Sequence, residues 1–354
     1  MLISICIPHY NRAQHLLVVL DSIRSQDYSN IEVIISDDCS VDDSSKVIPD
    51  YIAAHRAQSR VRFTYIRQLR NLGYDGNLRA ALAAAQGEYL FILGNDDALA
   101  KSTTITRLVT IVTELGLPDI AFTNFHTYGS ENDVARRAAN TRVFGAGPDV
   151  AARHYRSFSF VGGVVIKRSA FKQHDSDHYD GSIYIQIYLA ARIISAGGTL
   201  ASIAESMVAK DVVVDGKAAN SYTDTLASKN YKITPRTGGL DQVGRVACDA
   251  ILPYVPPSQQ GQYLFLIYYQ IFAFTYPAWL YAYRKQGVFR ASFNLALGCF
   301  PPRLITVREV PFSVHARLLL LYFGATLFGL FLPIWLLGNL KHYAYKFSKK
   351  LLTA

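Results

Sequence analysis

Acidic residues all but vanish from the last third of this 354-residue chain. From Ile251 onward there is one, Glu309, against ten lysines and arginines, whereas the residues up to Ala250 hold 26 of each sign. The formal net charge of +9 is therefore confined to one end. A basic, aromatic segment beside uncharged runs points to an anionic lipid surface and away from nucleic acid. Cysteine is sparse too. Cys6, Cys39, Cys248 and Cys299 share no C-x-x-C or other metal-ligand spacing, so no disulfide framework is expected and the compartment is read as reducing. The opening "MLISICIPHYNR" lacks both the positive region and the long apolar core of a signal peptide, and the chain is expected to start in the cytoplasm. Internal repeats and low-complexity tracts are missing. So is a G-x-G-x-x-G after the first apolar run, where "PHYNRAQ" stands; this disfavours a dinucleotide-dependent oxidoreductase.

What is present is an alternation. "LISICIPHY", "IEVIISDDCS", "VRFTYIRQ" and "EYLFILGNDD" read as strands, and "AQHLLVVLDSIRSQ", "DDSSKVIPDYIAAH" and "DGNLRAALAAAQG" between them carry helical spacing. Strict β/α alternation implies an α/β fold with a mostly parallel sheet flanked by helices. Ligands of such sheets bind beyond the carboxyl ends of the strands. Pro8-His9-Tyr10, Asp37-Asp38 and Asn95-Asp96-Asp97 all fall at such ends. From Leu117 to about Ser228 the pattern is mixed: "DIAFTNF" and "FVGGVVIKRSAF" read as strands, and "SIYIQIYLAARIISAGG" as a helix ended by glycines.

The polar, turn-rich stretch "DVVVDGKAANSYTDTLASKNYKITPRTGG" holds the expected domain boundary, dividing an α/β domain over 1–225 from a helical, basic and aromatic region over 226–354. That region carries two apolar segments, 262–283 and 318–340. The second is long enough to span a bilayer, which takes about 20 residues. One crossing would export the tail "KHYAYKFSKKLLTA"; two would export residues 284–317, which hold six basic residues and one acid. Both oppose the positive-inside tendency. A peripheral, in-plane or re-entrant anchor with both ends cytoplasmic is the expectation, with a true span as the alternative. Tyr263, Tyr268, Tyr269, Tyr276, Trp279, Tyr281 and Tyr283 suit the headgroup level, or else the packing of a buried helix.

Two adjacent acids, Asp96 and Asp97, end the fourth strand. They either cap a helix starting near Ser102 or hold a divalent cation, whose charge relieves their repulsion; hard oxygen ligands suit Mg²⁺ or Mn²⁺ shared with a diphosphate. Asp37 and Asp38 admit a turn with capping by Ser40, Asp42 and Asp43, or a hydrogen bond to a base or ribose. Tyr10 either packs or stacks on a base.

Taken in order, "CIPHYNR" (6–12), "SDDCS" (36–40), "NLGYDGN" (71–77) and "AQGEYLFILGNDD" (85–97) resemble the family-2 glycosyltransferases of the GT-A fold, over roughly residues 2 to 210. "NLGYDGN" and "LGNDD" are most similar to the bacterial branch that builds O-antigen and capsule repeats, abequosyltransferase-like enzymes included. The resemblance implies transfer of a sugar from a nucleotide donor with inversion at the anomeric carbon. By motif match it puts Pro8, Tyr10 and Asp38 around base and ribose with Asp37 beside them, Asp96 and Asp97 at the ribose, metal and diphosphate, and Asn77 near the donor sugar.

Two positions depart from the pattern. The metal motif often reads Asp-x-Asp, yet its first position is Gly94. Many relatives carry Glu-Asp where this chain has Ile185-Gln186, and neither of those side chains abstracts a proton. The base is therefore sought in "HDSDHYDGS", which offers His174, Asp175, Asp177, His178 and Asp180. Asp180 is the first choice because it lies just before the helix; its plainer role is an N-cap in a solvated loop. Gly162-Gly163 either admits an acceptor close to the backbone or bends a strand. The expected acceptor is a polyprenyl-diphosphate-linked saccharide at the cytoplasmic leaflet. The rival reading is a non-catalytic nucleotide-sugar binder or assembly scaffold on the same fold.

Overall fold

The computed structural model describes residues 1–57, 59–218, 239–305 and 310–336. The expected boundary at 225/226 and the tail beyond 336 lie outside those residues. Two compact units result: Met1–Val150 with His154–Asn220, and Ala151–Arg153 with Ser221–Ala354.

The first unit begins with four parallel strands. β1 (Ile3–His9), β2 (Ile31–Asp37) and β4 (Tyr89–Ile92) are apolar runs covered on both faces, and β3 (Arg62–Arg67) is the part-exposed edge. They stand in the order β3-β2-β1-β4. Between them run α1 (Ala13–Arg24), α2 (Ser44–His55) and α3 (Gly73–Ala84). Helix α1 shows why the alternation forms: Leu16, Val19, Leu20 and Ile23 repeat every three to four residues, and all four are buried. After α3 the chain slips under β1 at Gly87. A methyl there would stand 2.8 Å from the Leu2 carbonyl and the Ser4 nitrogen, so only glycine passes. Buried Glu32 receives the N–H groups of Gln86 and Gly87 at 2.6 and 3.0 Å.

Beyond β4 the sheet is mixed. β9 (Val164–Lys167) pairs antiparallel with both β4 and β6 (Ile120–Thr127), and β6 runs parallel to β10 (Leu200–Lys210). "FVGGVVIKRSAF" is therefore a four-residue strand followed by a helix at Arg168–His174. The eleven-residue β10 has no counterpart in the sequence reading, because Glu205 and Ser206 break its apolar run at a bulge. The helix expected from "SIYIQIYLAARIISAGG" is α7 (Ile185–Ser195), buried at every position except Arg192.

The second unit is helical among its described residues. A long helical run passes from Pro257 through a π-helical turn at Ile271–Thr275 to Lys285. Helices Phe289–Gly298 and Pro301–Leu304 follow, then Phe312–Phe331. Of the seven aromatics noted above, Tyr268, Tyr276 and Tyr283 are buried in this unit and Tyr269 is exposed.

Candidate active site

Parallel pairing brings three strand tips side by side. His9 is level with Asp37, and Cys6 with Ile92, so the residues after β1, β2 and β4 emerge on one rim.

The β1 and β2 tips are stitched together before any ligand arrives. The Asp38 N–H donates to the His9 carbonyl at 2.8 Å. Asn77, reaching up from α3, donates to the carbonyls of His9 and Ser36 at 3.2 and 2.9 Å. Only 2% exposed, Asn77 lies inside this seam. Asp37 is likewise internal: Ser40 donates to one of its oxygens through N–H and hydroxyl, and the Tyr65 hydroxyl donates to the other. Asp38 accepts the Leu72 N–H at 2.5 Å, and its pKa is raised, chiefly by burial, against the pull of that bond. Pro8 is half-buried, while the Tyr10 ring is exposed at the rim.

The loop after β1 carries backbone strain. Asn11 and Arg12 are both left-handed, with φ of 55° and 65°. That is routine for asparagine and costly for arginine. Asn11 is fixed by the Ser40 hydroxyl and the Val41 N–H at 2.8 and 3.0 Å. The turn aims Arg12 Nη1 at Asp96 Oδ2, 2.8 Å away. Strain of this kind concentrates at functional sites.

Asp96 and Asp97 cap no helix. A short strand, β5 (Ala98–Leu99), follows them and pairs with β10; the next helix starts at Thr104 without a side-chain cap. The segment after β10 closes over the pair, with the Val212 N–H on the Asp96 carbonyl at 2.8 Å and the Asp211 N–H on the Asp97 carboxylate at 3.4 Å. Burial, then the charge of Asp96, pushes the Asp97 pKa up to about 8. Asp96 is raised by burial against the opposing pull of Arg12. Gly94 and Gly162 bracket Asp97: a methyl on either would sit 2.7 or 2.8 Å from its Oδ2. The missing first acid of Asp-x-Asp thus has a steric reason, and Gly162 serves this packing.

Asp75, in the first turn of α3, is a residue that sequence reasoning passed over. It is buried, and its carboxylate accepts the N–H groups of Ile183 and Ile185 at 2.7 and 3.1 Å, with a further bond from Gly181. It therefore closes the start of α7 from more than a hundred residues away. Ile183, a β-branched residue at φ 63°, is held in that strained state with its side chain exposed. Asp180 lies one turn earlier. Arg79 donates to it at 2.8 Å and grips Asp175 with two further bonds at 2.7 and 3.2 Å. Asp180 lines a cavity of about 410 Å³ with Arg70, Asn71, Leu72, Gly76, Arg79 and Asp177. Leu72 belongs both to this cavity and to the Asp38 contact, so the Asp180 loop and the β2 tip border one cleft. Gln186 is 4% exposed, and its side-chain oxygen meets no donor.

Residues 4–175 match the family profile described as Glycosyl transferase family 2. That stretch, just under half of the chain, is similar to the family. It is 29% identical over 223 residues to abequosyltransferase RfbV of Salmonella typhimurium, covering 56% of this chain and 63% of that protein. It is 31% identical over 106 residues to the GalNAc(5)-diNAcBac-PP-undecaprenol beta-1,3-glucosyltransferase of Campylobacter jejuni, covering 30% of this chain and 33% of that one. The chain thus spans less than two thirds of the length of these curated relatives. Its fold is similar to that of Staphylococcus aureus TarS 1–349 in complex with UDP-GlcNAc, with TM-score 0.61, 14% identity, 93% of this chain and 89% of that one. The GT-A architecture expected from the motifs is the one observed.

The acids at the β4 tip present two side chains, Asp96 and Asp97, as metal ligands. Among the described residues no three His, Cys, Asp or Glu cluster at ligating distance. Two hard oxygen donors still fit Mg²⁺ or Mn²⁺ when phosphate oxygens complete the shell, and buried Asp97, reluctant to ionise alone, is a carboxylate that a cation would stabilise. Arg12, which the first motif contains without a role, and Asp211, which no local pattern marked, both meet this pair.

Proposed function

We propose that this chain transfers a sugar from a nucleotide-sugar donor to a saccharide acceptor in bacterial surface-polysaccharide synthesis. The observation that carries the reading is the Asp96–Asp97 pair at the β4 tip, held against Arg12 on the same rim as Tyr10 and Asp38. Tyr10 covers the base; Asp38 accepts from base or ribose, with Pro8 as the wall. Asp37 and Asn77 hold these two in place from beneath. Asp96 and Asp97 would hold Mg²⁺ or Mn²⁺, which when bound would supply positive charge against the leaving diphosphate. Arg12 adds a fixed positive charge on that side.

The reaction displaces the nucleoside diphosphate from the anomeric carbon with inversion, as an acceptor hydroxyl attacks from the opposite face. Its proton goes to Asp180, whose pKa burial raises against the pull of Arg79. The Campylobacter relative's name includes an undecaprenol-linked saccharide. Together with the basic, apolar second unit, it supports a polyprenyl-diphosphate-linked acceptor and a working position at the cytoplasmic leaflet.

The test is thermal unfolding of the full chain against a panel of nucleoside diphosphates and nucleotide sugars with and without Mn²⁺, followed by turnover with lipid-linked acceptor. One nucleotide raising the midpoint in a metal-dependent way, with transfer of its sugar, is expected. A midpoint shift with no transfer to any lipid-linked saccharide would favour a non-catalytic binder, to which the orphaned Gln186 oxygen lends weight. No shift at all would remove the donor site.

A further inference from the structure

The second unit carries an apolar surface that its own packing leaves open. In helix Phe312–Phe331 only Leu318, Tyr322 and Gly329 are buried. Leu320, Phe323 and Leu327 stand exposed along one face, three and four residues apart. On helix Phe289–Gly298, Phe289, Phe293 and Leu297 repeat every four residues and are all exposed. The two stripes adjoin: the Tyr322 hydroxyl donates to the Ala296 carbonyl at 2.8 Å, and the Phe300 and Phe323 rings lie 6.4 Å apart.

The long run 257–285 and helix 312–331 lie parallel, not as a hairpin. Near their starts, a methyl on Gly261 would stand 3.0 Å from Pro311. In the middle, Tyr276 meets Thr326 at 2.8 Å. Near the ends, Arg284 Nη1 donates to the Gly329 carbonyl at 2.7 Å. Two parallel helices oblige the connecting chain to travel back along them. That return includes a ten-residue helix of about 15 Å, half of an apolar bilayer core of about 30 Å, and it carries Arg290 and Arg303. Paired bilayer crossing would drag this charged return through the core.

We propose that the six exposed side chains Phe289, Phe293, Leu297, Leu320, Phe323 and Leu327 form a face that inserts in-plane into one anionic lipid leaflet. Charge selects lipid over a second copy of this chain. From Ile251 onward the described residues include Lys285, Arg290, Arg303 and Arg317 and no acid. A second copy would set like charges against each other, whereas an anionic leaflet offers the opposite sign. The inference rests on the leaflet reading above and gives it an orientation. Its test uses neither donor nor acceptor, so its failure leaves sugar transfer standing.

The experiment is flotation of the full-length protein with vesicles of mixed phosphatidylglycerol and phosphatidylcholine, and with phosphatidylcholine alone. Wild-type protein is expected on the anionic vesicles and to leave them in alkaline carbonate. Phe293→Glu with Phe323→Glu is expected to weaken binding by at least about tenfold, with the protein still folding cooperatively, because both rings are about half exposed and Phe323 gives up only its edge contacts with Phe300 and Tyr322. Phe289→Glu with Leu320→Glu serves as a second pair should the first unfold. Undiminished binding by folded variants overturns the proposal, as does retention through carbonate, which marks a span. A lipid-free dimer that either pair converts to monomer assigns the face to a second copy and overturns it too.

Discussion

Nη1 of Arg12 rests 2.8 Å from Oδ2 of Asp96, and it does so from a left-handed backbone at φ 65°. The arginine is the counter-ion of an acid pair that burial alone would tend to protonate. Replacing it with alanine leaves Asp96 without its cation. Metal-free Arg12→Ala is expected to lose about 1–3 kcal/mol of stability, less than a fully buried pair would because both partners keep some solvent. Added Mn²⁺ should raise the variant's unfolding midpoint more than the wild type's. Equal shifts in both proteins would show that Arg12 and the cation do not share Asp96.

Gly94→Asp writes the missing acid back into the metal motif. Its Cβ would arrive 2.7 Å from Asp97 Oδ2, so the new side chain displaces the old one. We expect at least about a tenfold loss of transfer and weaker, not tighter, Mn²⁺ binding by calorimetry. Tighter binding would mean that the site has room for three carboxylates.

Tyr10 is 44% exposed, so its removal disturbs little packing. Tyr10→Ala should keep the unfolding midpoint while weakening the nucleotide by about 1–3 kcal/mol, the worth of a stacked base. Tyr10→Phe should bind like wild type. A Tyr10→Ala protein that binds with unchanged Kd would take the base away from this rim.

For Asp180 the informative split is between binding and turnover. Asp180→Asn keeps a hydrogen-bonding shape beside Arg79 yet accepts no proton. It should lower kcat by about 10²–10⁴ with donor Kd unchanged. If kcat survives, the base lies elsewhere in the loop.

Asp75 supplies a pH signature. Burial pushes its pKa up to about 6 against three N–H donors, while an unfolded chain holds aspartate near 4. Between about pH 4 and 6 the native state therefore binds the extra proton, and stability falls as pH rises through that window before levelling off. Asp75→Asn removes this component. The wild-type minus variant difference in unfolding free energy should decline by up to about 3 kcal/mol from pH 4 to pH 7. A flat difference would mean that Asp75 is already ionised at pH 4.

The parallel half of the sheet was open to reading because strands covered on both faces must be continuous apolar runs, and "ISICIPH", "IEVIISD" and "YLFI" are such runs. The acids at their tips stand out against that background. What stayed hidden depends on segments that meet only after folding. Asp75 looks like an ordinary first-turn acid, and its partners come at Ile183 and Ile185. Asp211 returns to Asp97 after more than a hundred residues. Asn77 shows a further limit: its position in the motif was visible, but only the fold reveals that its amide points into the β1–β2 seam.

That seam divides the chain into an early part and a late one. Asn77, Asp38 and the β1 tip are linked within the first 77 residues, whereas Gly162, the Asp180 loop and the segment after β10 reach the cleft from later parts of the chain. Substitutions in those later segments therefore leave the early stitching in place. The rim of β1 and β2 is thus built before any residue of the Asp180 loop is needed.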